Sequence, residues 1–232
     1  MKAKYIFTCL ILTGTFLGSC KKDTGVNSTG VSLNIVNAMD DAPSLALNFS
    51  PTGFTYSQNK TFVYNQSGTE FSLPSGSNTF NLTSSTDTVK ALFQGKLNLT
   101  AGGIYSFYVA GQVAHYDTLL MKDKIPSYGA DSVASARFIN LASDSQPLSI
   151  NLVGNATPDF SGLAYKKITV FKKYPATMDV TNNGGYTYEI RDASGNVLTT
   201  FNWSPSVFKN NTLVITGLVG TGSVSVFPVN NY

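Results

Sequence analysis

From Val31 to the end of the chain, apolar and polar residues alternate with a period of two. Leu33 and Ile35 alternate with Ser32 and Asn34, and Leu45, Leu47 and Phe49 with Ala46 and Asn48. The same beat returns in Tyr105-Phe107-Val109, Leu148-Ile150-Leu152 and Tyr186-Tyr188-Ile190. Side chains change face at every residue of a strand, so this beat predicts strands with one buried face. Further strand-like runs lie at 61–64, 89–93, 213–215 and 224–227. Turn residues separate them: Pro74-Ser75-Gly76, Ala101-Gly102-Gly103, Asn182-Asn183-Gly184-Gly185 and Ser194-Gly195-Asn196. Short strands between such turns predict an all-β antiparallel sandwich or barrel. No segment beyond residue 30 carries a helical period.

The pattern then repeats. Residues 35–47 (IVNAMDDAPSLAL) align without a gap to residues 138–150 (FINLASDSQPLSI), an offset of 103. Asn37 falls on Asn140 and Asp41 on Asp144, with the apolar beat in phase. Near the repeat ends, Tyr105-Ser106-Phe107 is matched to Leu213-Val214-Ile215. A repeat near 100 residues is the size of an immunoglobulin-like sandwich. The expectation is two tandem immunoglobulin-like β-sandwich domains, at 31–122 and 135–232. Between them, 123–134 reads as a linker carrying charge, Pro and Gly.

The N-terminus has a different texture. Lys2 and Lys4 precede an apolar or small run from Tyr5 to Phe16, closed by Leu17-Gly18-Ser19-Cys20. That layout is a secretory signal peptide over 1–19. Its apolar run is too short to span a bilayer, which takes about 20 residues. The terminal cysteine resembles a bacterial lipoprotein signal, which implies lipidation of Cys20 and a membrane anchor. Residues 20–30 are small and polar and read as a tether. Cys20-Lys21-Lys22-Asp23 also resembles the surface-export signal of Bacteroidetes lipoproteins. With Cys9 lost in the leader and Cys20 acylated, no disulfide is expected in the mature chain.

Charge narrows the partners. The chain has 16 basic and 13 acidic residues, a net +3, and removing Lys2 and Lys4 leaves +1. A near-neutral surface argues against nucleic acid, whose phosphates need a basic face.

The opening of each repeat resembles domain-of-unknown-function family 4397, whose hallmark is a strand, an Asn-Ala-x-x-Asp-Ala-Pro turn and a second strand. Here the turn is Asn37-Ala38-Met39-Asp40-Asp41-Ala42-Pro43 and, more loosely, residues 140–147. Pro74-Ser75-Gly76 and Leu99-Thr100-Ala101-Gly102-Gly103-Ile104-Tyr105 match later family elements. The resemblance implies a secreted or surface β-sandwich, often on lipoproteins, with no assigned chemistry.

Catalytic parts are sparse. His115 is the one histidine, and no Gly-x-Ser-x-Gly elbow accompanies it. The two glutamates, Glu70 and Glu189, fall in different repeats, and no spacing selects a carboxylate pair. No catalytic residue, metal site or cofactor is expected. Two binding candidates stand out. Asn37, Asp40, Asp41, Asn140 and Asp144 could form a cation or glycan site, or serve only as turn devices, since Asp accepts nearby backbone N–H groups and Pro fixes φ. Tyr186, Tyr188 and Trp203, with Tyr165, lie near polar turns and could stack on a sugar, or plug the core. The pairs Lys166-Lys167 and Lys172-Lys173 flank an apolar run and read as a guarded strand edge. Three tripeptides resemble a Bacteroidetes O-glycosylation sequon, with Thr88, Thr118 and Ser132 as acceptors.

These features lead to an expectation of a non-catalytic envelope lipoprotein of the outer membrane, acting as a binding or adhesion module for a glycan or an envelope protein. The alternatives are a structural or assembly subunit of an outer-membrane complex, or, less favoured, a hydrolase.

Overall fold

A computed structural model describes residues 30–49, 61–87, 90–128 and 132–231. The first half contains β1 (Gly30–Met39), β2 (Ser44–Asn48), β3 (Thr61–Tyr64), β4 (Ser67–Pro74), β5 (Gly76–Ser84), β6 (Ala91–Leu99), β7 (Ile104–Gln112) and β8 (His115–Lys122). The second contains β9 (Val133–Asn140), β10 (Leu148–Leu152), β11 (Phe160–Leu163), β12 (Lys172–Pro175), α1 (Met178–Asn182), β13 (Tyr186–Arg191), β14 (Val197–Trp203), β15 (Asn210–Thr216) and β16 (Ser225–Asn230). Helix α1 has no buried residue, so there was no apolar stripe for a helical period to reveal.

The two halves share one winding. The first pairs its strands as β4-β1-β7-β8 and β3-β2-β5-β6, and the second as β12-β9-β15-β16 and β11-β10-β13-β14. Each half is an antiparallel-rich β-sandwich. One pair in each departs from the antiparallel expectation: β1 runs parallel to β7, and β9 to β15. Apolar alternation is the same for either direction of pairing, so it cannot distinguish them.

Each sandwich closes over its own core. Leu33, Ile35, Leu45, Leu47, Phe80 and Phe107 fill the first. Phe138, Ile150, Tyr188, Ile190, Trp203 and Leu213 fill the second. A third cluster joins the halves. Val36, Ala38, Tyr108 and Ala110 pack on Ile139, Leu141, Val214, Phe227 and Val229. The β1 sheet therefore lies against the β9 sheet, and the four sheets stack in layers. This explains why β1 is buried from Leu33 to Met39 without a break. Its odd positions enter the first core, while Asn34, Val36 and Ala38 face the second half.

Within 123–134, Asp123 is buried and ion-paired to Arg137, and β9 already begins at Val133. The halves also run in the same direction. Asn34 Nδ2 donates to Asn230 O at 3.3 Å near one pole. Thr216 Oγ1 donates to Ala38 O at 2.6 Å near the other. The first pole holds Gly30, Pro74, Lys122, Val133, Pro175 and Asn210, where the chain enters the body. The far pole holds the β1–β2, β7–β8, β9–β10 and β15–β16 turns.

Candidate functional site

Both Asn-containing turns lie at the far pole, and they are built alike. Asn37 and Asn140 are fully buried. Asn37 Oδ1 accepts the Met39 N–H at 3.1 Å, while its amide donates to Ala42 O and Val63 O at 3.1 and 3.3 Å. Asn140 Oδ1 accepts the Ala142 N–H at 3.0 Å, and its amide donates to Leu163 O at 3.0 Å and Ser145 Oγ at 2.9 Å. Each Asn caps its turn and ties it to the third strand of its half. Neither offers a polar atom to a ligand.

The aspartates play matching parts. Asp41 Oδ1 accepts the Val113 N–H at 2.8 Å. Asp144 accepts the Val219 and Gly220 N–H groups, both at 2.8 Å. Val113 lies in the β7–β8 turn and Val219 in the β15–β16 turn, so each carboxylate clamps the loop beside it. Asp40 faces the second half. Burial, then the carboxylates of Asp41 and Asp144, push its pKa above the ordinary carboxylate value, partly opposed by hydrogen bonds from Gly217 and Thr216. A carboxyl held toward its neutral form is a poor cation ligand. Among the described residues, no group of three or more His, Cys, Asp or Glu side chains is placed to hold a metal ion.

The aromatic candidates separate by burial. Tyr188 is completely buried and Trp203 is 3 % exposed. As sugar platforms they are corrected: Tyr188 meets Phe138 edge-on at 5.1 Å, and Trp203 meets Tyr174 edge-on at 5.4 Å. Their places in β13 and β14 point them into the second core, a direction that nearby turn residues do not reveal. Tyr186 is partly exposed, stacks on Trp203 at 5.9 Å and donates its hydroxyl to Pro175 O at 2.9 Å. Beside them a shallow pocket of about 290 Å³ is lined by Phe201, Asn202, Trp203, Lys209, Asn211 and Asn230, among others. Tyr165 donates to Asp117 Oδ2 at 3.1 Å, and Lys166 to Oδ1 at 2.9 Å, across the seam between the halves.

The remaining titratable groups are engaged or dispersed. His115 is exposed at the start of β8, opposite Gln112. Glu70 accepts from Ser32, Glu189 from Arg191, and Asp159 from Lys172 and Tyr174. Ser132 is exposed, and Thr118 is partly buried at the seam beside Tyr165 and Lys166. Thr88 and Cys20 lie outside the described residues, and no described helix is long and apolar enough to cross a membrane.

A feature of the entry pole escaped the sequence pattern. In the first half, Gly102 donates its N–H to Gly30 O at 2.9 Å, with φ +67°. In the second, Phe208 donates to Val133 O at 2.9 Å, with φ +61°. Leu33 pairs with Tyr105, and Phe138 with Leu213 while Ile35 pairs with Phe107. Phe107 therefore corresponds to Leu213, and the expected match of Phe107 to Ile215 is two residues out of register. With that correction, Phe208 occupies the place of Gly102. A bulky residue in left-handed backbone is an outlier.

A doubled, layered β-sandwich with structural turns at one pole is the class that this geometry defines. The chain belongs to the family described as domain of unknown function DUF4397, whose model matches residues 31–151. That match covers the first half and β9 and extends into β10. No curated protein matches the chain. Among solved structures, the C-terminal domain of AlgF from P. aeruginosa is similar at 16 % identity, over 41 % of this chain and 99 % of that one, with a TM-score of 0.32. A likeness that slight carries no functional argument.

Proposed function

We propose that this chain is an outer-membrane lipoprotein of a Bacteroidetes-type envelope, anchored through Cys20, whose far pole is a non-catalytic binding surface for a glycan or an envelope protein. The observation that supports this reading is the polarity of the body. The tether joins at Gly30, and the β1–β2, β7–β8, β9–β10 and β15–β16 turns lie at the opposite pole. An anchor at Cys20 then directs those turns away from the membrane. Loops on a rigid sandwich carry recognition because they vary at little structural cost. The engaged state of Glu70, Glu189 and Asp159 favours binding over hydrolysis.

Three measurements test it. Radioactive palmitate labels the wild-type chain but not Cys20→Ala. Protease shaving of intact cells removes the protein if it faces outward. A glycan or envelope extract that is a true ligand raises the melting temperature of the purified protein in proportion to its concentration. Palmitate failing to label the wild type overturns the anchor, and no ligand shift across a broad glycan panel and envelope extracts overturns the binding role.

A further inference from the structure

We propose that the entry pole is a membrane-contacting face that seats the second half on anionic lipid headgroups, with Phe208 as its aromatic anchor. The proposal rests on the Cys20 anchor for its setting and on the structure for its residues.

Four of the large apolar side chains exposed to solvent gather at this pole: Met178 at 84 %, Val153 at 52 %, Phe208 at 51 % and Val207 at 39 %. They sit on two loops and at the start of α1 rather than forming one flat patch. That arrangement suits shallow insertion among headgroups better than packing against a folded protein. Phe208 is the most telling of them. Its backbone keeps the left-handed turn that the first half makes with Gly102, where a Cβ would meet nothing within 4 Å. The fold supplies a suitable glycine position, yet the second half holds an exposed ring there. Strain kept at an exposed aromatic points to use of that ring.

The surroundings of Phe208 are those of an interfacial anchor. The Tyr128 ring lies 6.3 Å from the Phe208 ring, and Lys173 Nζ lies 5.9 Å from the centre of Tyr128. Tyr128 donates its hydroxyl to Lys209 O at 3.1 Å. Tyrosine beside lysine is the pairing found at headgroup level, where the ring is half-immersed and the ammonium meets phosphate. Lys173, Lys209, Lys122 and Lys124 are all exposed at or near this pole. Asp179 in α1 is exposed there, while Asp123 is buried against Arg137 and Asp159 is paired to Lys172. The far pole carries Asp40, Asp41, Asp144 and Asp192 together with Lys90, Lys166, Lys167 and Arg191. The entry pole is thus basic and apolar, and the far pole is of mixed charge.

The tether permits this contact. Gly30 lies ten chain steps after Cys20, a reach of about 35 Å at full extension. Lys21 and Lys22 add positive charge beside the anchor. The pole contact holds the body upright on the bilayer.

The test uses the full-length, processed protein reconstituted in vesicles of phosphatidylethanolamine and phosphatidylglycerol, with some lipids carrying nitroxide quenchers. A fluorophore is attached at Phe208→Cys or at Met178→Cys, and at Tyr64→Cys on the far pole as control. The expected result is severalfold stronger lipid quenching at 208 and 178 than at 64, weakened by Lys173→Glu with Lys209→Glu or by phosphatidylcholine vesicles. Met178, on the short exposed helix, keeps the test valid should the 208 variant fold poorly. Equal quenching at all three sites, in protein that incorporates palmitate, overturns the face and leaves the anchor standing. Strong quenching at 208 and 178 without palmitate incorporation supports the face and removes the anchor. A blue shift at 208 that needs added envelope protein and shows no lipid quenching overturns the membrane assignment in favour of a protein partner.

Discussion

Arg137 of the second half donates from Nη2 to Asp123 Oδ1 of the first at 2.5 Å, with side-chain exposures of 6 % and 0 %. The pair is fully dressed. Ser106 Oγ donates to Asp123 Oδ2 at 2.7 Å, Arg137 Nε donates to Thr212 Oγ1 at 2.9 Å, and Phe171 covers the guanidinium at 4.4 Å. Removing one partner strands the other charge away from water. Asp123→Ala is expected to destabilise the protein by about 3 kcal/mol or more. The double change Asp123→Asn with Arg137→Met is expected to cost less than the single one. Urea denaturation of the three proteins measures this, and a double variant weaker than Asp123→Ala would refute the account.

Asn37 and Asn140 should respond alike. Each is fully buried, caps one N–H and donates to a strand carbonyl of its half. Truncation leaves those backbone groups unpaired at about 1–3 kcal/mol. Asn37→Ala and Asn140→Ala are expected to lower stability by similar amounts. Equilibrium unfolding of the two variants checks this.

Phe208 and Gly102 give opposite outcomes. Left-handed backbone costs a non-glycine residue about 1–2 kcal/mol, partly offset by the greater entropy loss of glycine. Phe208→Gly is expected to raise stability by roughly 0.5–1 kcal/mol, and Gly102→Ala to lower it by a similar amount. Thermal melts read the pair, and the stabilised variant should lose contact with lipid.

Alkali should unfold this protein. Burial, then Tyr188 and Asp159, push the Tyr174 phenol far above its usual range, while burial raises Tyr188 and burial with Asp117 raises Tyr165. The folded state thus holds these phenols neutral while the unfolded chain releases their protons near pH 10. The sign follows: stability is intact below about pH 10 and falls as pH rises from there toward the folded-state values. The loss is about 1.4 kcal/mol per pH unit for each phenol withheld. Phenolate absorbance should lag behind free tyrosine and then rise in step with loss of the folded signal, and Tyr174→Phe should shift that step to higher pH.

Strand periodicity and the 103-residue offset made most strands and both Asn turns readable, because turn chemistry is local. Other features depended on what each face meets. Asn34 reads as a solvent-facing polar residue, yet it is 6 % exposed and donates to Asn230 O. The unbroken apolar run Ile35-Val36, followed by Ala38, carried the trace of a second buried face. The first half of β4, Ser67 to Glu70, alternates in burial without apolar residues to mark it, and only Phe71 and Leu73 further on carry the apolar beat. Tyr188 and Trp203 belong to the core because of strand phase, and the polar turns beside them gave no hint of it. The exchange of Gly102 for Phe208 became visible only once the parallel pairs set the register.

The seam along Val36, Ala38, Ile139 and Val214 also limits how the gene can be cut. An expression product ending near residue 128 would emerge with an oily wall of valine, alanine and tyrosine, and would clump or pair with itself. Nicking the full-length protein in that region should leave two fragments that elute together. The smallest unit that can be handled, inherited or transplanted whole is the doublet.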